Sequence, residues 1–180
     1  MRHLPLAILA GSCYLFAAAP AAVAGDSIEV KVHEVSEKGT EASVGTVTLV
    51  EHDHGVLIRP ELKGLEPGLH GFHLHQNPDC GPSSKDGKVT PGGAAGGHYD
   101  PKDKKSHQGP YSDDGHLGDL PALFVNGDGH ATHPVLAPRL ELSDFHDRAV
   151  VVHQGGDNYS DEPEALGGGG ARVACGVIRP

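Results

Sequence analysis

His73 and His75 stand two residues apart in Gly71-Phe72-His73-Leu74-His75. On an extended strand, residues i and i+2 leave the same face. Both imidazoles then project together, while Phe72 and Leu74 turn the other way toward a core. Neutral imidazole is the commonest metal ligand and suits copper and zinc, so this pair is the start of a metal clamp. His98, His107, His116 and Asp119 follow in one stretch rich in Gly, Pro, Asp and Lys, with Asp119 three residues after His116. Three imidazoles and a carboxylate make a tetrahedral zinc site of nitrogen and oxygen donors. His153 closes the apolar run Val150-Val151-Val152. Alone it would read as a core histidine; beside the other six residues it joins the candidates.

These donors need elements to carry them. Ile28, Val30 and Val32 alternate with Glu29, Lys31 and His33, the period of a half-buried strand. Further short runs occupy residues 44–50, 56–62, 69–75, 122–125, 139–142, 149–153 and 173–178, with Gly, Pro and Asp between them. That pattern predicts an all-β antiparallel sandwich or barrel, with no long segment of helical periodicity, no internal repeat and no second domain. Residues 134–138, bounded by Pro134 and Pro138, read as a connector. Residues 76–120 lack a strand pattern, and a loop beyond roughly 12–15 residues is usually functional or disordered. A second long loop spans residues 154–172 and carries Gly155-Gly156 and Gly167 to Gly170, where close backbone approach is possible.

Residues 1–24 have the form of a secretory signal: Arg2, a short apolar stretch, and Ala22-Val23-Ala24 as a small-residue cleavage site. The apolar stretch is too short for a membrane span. Ala10-Gly11-Ser12 before Cys13 matches a lipid-attachment site poorly. The domain expected to remain, residues 25–180, has 13 basic and 24 acidic residues, a formal charge of −11. That balance excludes the basic footprint of a nucleic-acid binder. It also holds two cysteines, Cys80 and Cys175, and an even count in an exported chain predicts one disulfide.

Four motifs together carry a family resemblance: Gly71-Phe72-His73-Leu74-His75, Gly97-His98-Tyr99-Asp100-Pro101, residues 115–121 (Gly-His-Leu-Gly-Asp-Leu-Pro) and residues 168–178 around Arg172 and Cys175. In this order they resemble the exported bacterial branch of the copper/zinc superoxide dismutases, across nearly the whole domain. The resemblance implies an eight-stranded Greek-key β-barrel with two long functional loops and one copper and one zinc per subunit. It implies copper on His73, His75, His98 and His153, and zinc on His98, His107, His116 and Asp119, with His98 shared. It pairs Cys80 with Cys175, places Arg172 over the copper, and makes Asp157 the carboxylate that links His73 to His107. The activity implied is the conversion of two superoxide anions to O₂ and H₂O₂, with His98 taking up and returning a proton.

A net charge of −11 repels a small anion, so a local positive funnel is needed, and Arg172 is its first candidate. No lysine lies between His153 and Arg172, which turns attention to Lys85, Lys88, Lys102, Lys104 and Lys105 in the first loop. His70 faces the core side and reads as structural. His52 and His54 are a second i, i+2 pair at an acidic strand end, read as exposed polar residues; His33, His130, His133 and His146 have no convergent partners. The rival reading is an exported copper or zinc store on the same barrel, which needs neither a shared imidazole nor an anion guide. A copper-only relative would not need the full His98, His107, His116 and Asp119 set. Periplasmic location and a homodimer complete the expectations.

Overall fold

The computed structural model describes residues 26–179, so the expected signal and Cys13 lie outside the described residues. β1 (Ser27–Ser36) buries Val30 and Val32 and exposes Glu29 and Lys31, as its alternation requires. It pairs antiparallel with β2 (Gly39–His52), which turns at Asp53-His54 into β3 (Gly55–Lys63). On its other edge β1 pairs with β12 (Arg172–Ile178), β12 with β11 (Arg148–His153), and β11 with β5 (Phe72–His75). β4 (Gly68–His70) runs into β5 across Gly71 and pairs with β8 (Leu123–Val125). β8 turns through Asn126–Gly129 into β9 (His130–Ala131), which pairs back onto β3 and closes the ring.

β10 (Val135–Ala137) pairs with β3 in the same register as β9, so the two are halves of one strand. Their break, at residues 132–134, lies opposite Pro60 of β3, which has no N–H to offer the ladder. Counting β4 with β5 and β9 with β10, eight strands form the barrel. The connections at residues 64–67 and 138–147 each skip two strands of the ring, which is the Greek key.

Two expectations are corrected here. Residues 134–138 are not a connector, because β10 lies between two prolines that sit at its ends, where no ladder donor is lost. Residues 139–142 are not a strand: Leu140, Leu142 and Phe145 bury themselves across a one-turn 3-10 helix, Leu142–Phe145, begun by a reciprocal Glu141–Asp144 capping box. No helix among the described residues is long and apolar enough to cross a membrane.

The core holds Val32, Val47, Leu49, Ile58, Phe72, Leu74, Leu123, Phe145, Val150, Val152 and Ile178, all within the barrel. A smaller cluster of Cys80, Ala95, Ala149, Val151 and Cys175 lies on the other face of β11 and β12. β11 is therefore covered on both sides, which explains its unbroken apolar run. The disulfide Cys80–Cys175 anchors the first long loop to β12, with Cα atoms 5.7 Å apart.

That loop is braced throughout. β6 (Ser83–Lys85) and β7 (Lys88–Thr90) form a hairpin over Asp86-Gly87, both at positive φ as a two-residue turn demands. Further on, the loop lines the free edge of β5. Tyr99 N–H donates to the Leu74 carbonyl at 2.7 Å, and Leu74 N–H to the Gly118 carbonyl at 2.9 Å. A Cβ on Gly118 would overlap the Leu74 carbonyl oxygen, so glycine is what lets the loop come this close.

Candidate metal centre

Strand alternation sends Phe72 and Leu74 into the core and His73 and His75 to the outer wall. The loop laid along β5 puts His98 opposite His75 and Asp119 opposite His73. His153 ends β11, the neighbour of β5 on the other side. Backbone pairing alone thus brings five donors to one patch. His107 and His116 arrive from the loop span above it. The sequence expectation grouped these seven residues, and the structure brings all seven together.

They form two four-membered sets that share His98: His73, His75, His98 and His153, and His98, His107, His116 and Asp119. Within each set the donor atoms lie within 4.8 Å of one another. In the second set three ring nitrogens surround Asp119 Oδ1: His98 Nδ1 at 2.9 Å, His107 Nδ1 at 3.0 Å and His116 Nδ1 at 3.2 Å. Bonds of about 2 Å to a tetrahedral ion give edges of roughly 3.3 Å, so the spacing fits zinc. The His107 nitrogen, although near, lacks the alignment of a hydrogen bond to that oxygen.

The sharper test of fit is hydrogen bonding. Among the described residues, five buried nitrogens have no hydrogen-bond partner: His73 Nδ1, His75 Nε2, His98 Nε2, His107 Nδ1 and His153 Nε2. Buried polar atoms are almost always satisfied, so five orphans facing one patch need an explanation. In four of these rings the opposite nitrogen is held by an oxygen from outside the two donor sets. His73 Nε2 meets Asp157 Oδ2 at 2.8 Å, His107 Nε2 meets Asp157 Oδ1 at 2.7 Å, His75 Nδ1 meets the Gly96 carbonyl at 2.9 Å, and His153 Nδ1 meets the Gly170 carbonyl at 3.2 Å. The outer nitrogen donates its proton, which leaves an inward lone pair, the state a ligand requires.

Electrostatics agree with that reading for His73, His75 and His153. Burial lowers the pKa values of His73 and His75, with His98 nearby adding to the effect, and lowers His153 to about 4. All three are neutral at neutral pH. His107 is the exception: burial opposes its protonation, but the nearby Asp119 and Asp157 carboxylates outweigh burial and raise it to about 9, so without metal its inward nitrogen holds a proton that a metal would have to displace. Burial likewise opposes ionisation of Asp157, and the His107 and His73 hydrogen bonds prevail, holding it well below the usual carboxylate range.

Arg172 begins β12, paired with His153, and its guanidinium donates to the carbonyls of Gly92 and Gly96. The Gly96 oxygen also takes the His75 proton. The first loop therefore sets the cation and one imidazole together. Asp157 bridges His73 and His107, the pair anticipated for it. Gly167, at φ +72°, passes so close that a Cβ there would overlap Asp157 Oδ1.

His70 joins neither set; its nitrogens lie 2.7 Å from the His153 and Glu66 carbonyls, the structural role expected. His52 and His54 lie exposed at the β2–β3 turn, and neither belongs to a donor group of three among the described residues. Sequence reasoning missed Asp161, whose carboxylate accepts from the backbone N–H of His107 and of Leu166. It also missed Arg139, which had been placed in a strand. Both act on backbone atoms, which carry no sequence signature.

A Greek-key barrel with two donor sets on its outer wall, joined through one imidazole, defines a dinuclear metalloprotein of the copper and zinc kind. The copper/zinc superoxide dismutase (SODC) family profile matches residues 43–178, and the chain belongs to that family. It is 57% identical over 157 residues to "Superoxide dismutase [Cu-Zn]" of Haemophilus parainfluenzae, covering 87% of this chain and 84% of the relative. Among solved structures it resembles the Cu/Zn superoxide dismutase from Brucella abortus, with TM-score 0.83 and 51% identity over 85% of this chain and 99% of that one. It also resembles the monomeric copper, zinc superoxide dismutase from Salmonella enterica, with TM-score 0.77 and 51% identity over 86% of this chain and all of that one. Copper and zinc are its metals, and disproportionation of superoxide to O₂ and H₂O₂ is its activity.

Proposed function

We propose that His73, His75, His98 and His153 hold the copper, and that His98, His107, His116 and Asp119 hold the zinc. The observation that carries this is the set of five buried, unpartnered nitrogens facing inward, four of them on rings whose other nitrogen is already spent on an oxygen outside the two sets. Copper, when bound, supplies one-electron redox chemistry, whereas zinc has none and fixes the loop. The chain's own groups do the rest. The Arg172 guanidinium stays charged and draws the anion to the open side of the first set. His98 Nε2 would accept a proton and return it to the reduced product, while Nδ1 of the same ring faces the zinc set beside Asp119. Asp157 keeps His73 and His107 in register with each other. A storage protein would need neither Arg172 nor the shared ring.

The test is superoxide decay with the fully loaded protein, its H98A variant and an equal amount of free copper. The reading requires loaded protein to exceed free copper, and H98A to lose most of that advantage while retaining copper. Equal rates for loaded protein and H98A would overturn it.

For steering, Lys104 pairs with Asp114 and Lys105 with Asp103, both at 3.2 Å, which offsets their charge. Lys85 and Lys88 face each other across the β6–β7 hairpin. Like charges placed opposite cost stability, so this pair is the better guide for an anion. For assembly, Leu69 and Phe124 are cross-strand partners on β4 and β8 and are 58% and 47% exposed. Two adjacent exposed apolar side chains on a flat strand pair suit a second copy of the chain, and sedimentation of wild type beside F124E tests it. For location, the signal-like residues 1–24 and a disulfide-bonded domain of residues 25–180 fit the periplasm.

A further inference from the structure

Five of the seven donors are seated on or against the sheet: His73 and His75 on β5, His98 and Asp119 paired to it, and His153 on β11. His107 and His116 are not. His107 has other restraints, with Asp157 on its ring and Asp161 on its backbone N–H. His116 has no such carboxylate from outside the set, and its side chain is the most open of the proposed zinc donors, at 12% exposure. Its backbone N–H donates to the Ser106 carbonyl at 3.0 Å. Its carbonyl accepts from Arg139 Nη2 at 2.8 Å.

The same guanidinium makes two more bonds. Arg139 Nε donates to the Pro110 carbonyl at 2.9 Å and Nη2 to the Gly109 carbonyl at 3.0 Å. Gly109 and Pro110 lie just after His107, so one rigid fork closes the span between two zinc donors. Arg139 itself belongs to the crossover at residues 138–147, so it fastens that span to the barrel. A lysine offers a single flexible point and cannot hold three carbonyls in one plane.

We infer that Arg139 is the positioning residue of the zinc set, fixing His116 relative to His107 so that the set keeps a geometry selective for zinc over copper. This rests on the ligand reading proposed above. Divalent copper binds nitrogen and oxygen donors more tightly than zinc does, so selectivity must come from geometry rather than raw affinity. Loosening His116 removes that geometric bias. Groups that orient metal ligands typically contribute about 10–100-fold to metal affinity.

The experiment loads metal-free wild type, R139K, R139Q and D119A with one equivalent each of copper and zinc, then measures bound metal. It also titrates each protein with cobalt as a visible probe of tetrahedral geometry, and records the metal-free melting temperature. The inference expects R139K and R139Q to bind cobalt and zinc roughly 10–100-fold more weakly and to carry excess copper, with weakened tetrahedral cobalt bands. Wild-type zinc affinity and copper content in both Arg139 variants, with only a lower metal-free melting temperature, would overturn it and leave a purely structural role. D119A separates the two readings: if it binds cobalt as wild type does, the ligand assignment itself has failed.

Discussion

Asp157 is a single carboxylate shared by rings of both sets, with Oδ2 on His73 and Oδ1 on His107. Its loss frees both rings at once. D157A is expected to weaken zinc binding roughly 10–100-fold, measured by competition against a chelator; unchanged affinity would mean the rings are held by packing alone. The protons add a second expectation. His107 of the metal-free protein is raised to about 9 by its carboxylate neighbours. A raised histidine contributes stability that is fully present below its unfolded value of about 6.5 and is lost as pH rises through the folded value. Zinc must displace that proton, so its affinity should climb by about tenfold per pH unit between 6.5 and 8.5. Equal affinities at pH 6.5 and 7.5 would contradict the proton inventory. At this scale the proposed ligands were legible because His-x-His, Gly-His-Tyr-Asp-Pro and Gly-His-Leu-Gly-Asp are side-chain patterns. Asp161 and Arg139 were not, because they grip two backbone N–H groups and three carbonyls that any residue would supply.

Among the elements, the first long loop carries most of the function. It borders β5, supplies His98, His107, His116 and Asp119, and holds Arg172 through two carbonyls. Its covalent anchor closes a span of 95 residues. In the chain-entropy model such a closure is worth roughly 4–5 kcal/mol. C80S/C175S is therefore expected to melt about 10 °C lower in a domain of this size, with weakened zinc binding because the loop is no longer tied to β12. A lower melting point with intact zinc affinity would show that β5 alone seats the loop. Strand existence was readable from alternation in β1 and from short apolar runs in β3 and β12. It failed at residues 134–142, where apolar residues in a crossover imitate a strand and prolines mask a real one. In both cases tertiary burial, of Leu140, Leu142 and Ala137, decided the outcome.

On the scale of the whole molecule, the domain's charge of −11 opposes its substrate, and local placement of cations must overcome it. Among the described residues Lys85 and Lys88 have no acid partner, whereas Lys104 and Lys105 are paired. K85Q/K88Q should lower the low-salt rate constant for superoxide several-fold and flatten its dependence on ionic strength, within the roughly 10–10³-fold that focused fields supply. K104Q/K105Q should do neither, and the reverse ranking would reassign the guide. The barrel closes through a ring order that no single segment announces, which is why the sequence supported a sandwich or barrel and the Greek key came only with the family likeness. The central claim is narrower: one ring, that of His98, joins both metal sets. Copper placed in the first set and cobalt in the second gives the direct test, because an imidazolate between two paramagnetic ions couples their spins. The account predicts that the Cu(II) paramagnetic resonance signal disappears as cobalt fills the second set. A full copper signal with stoichiometric cobalt bound would contradict it.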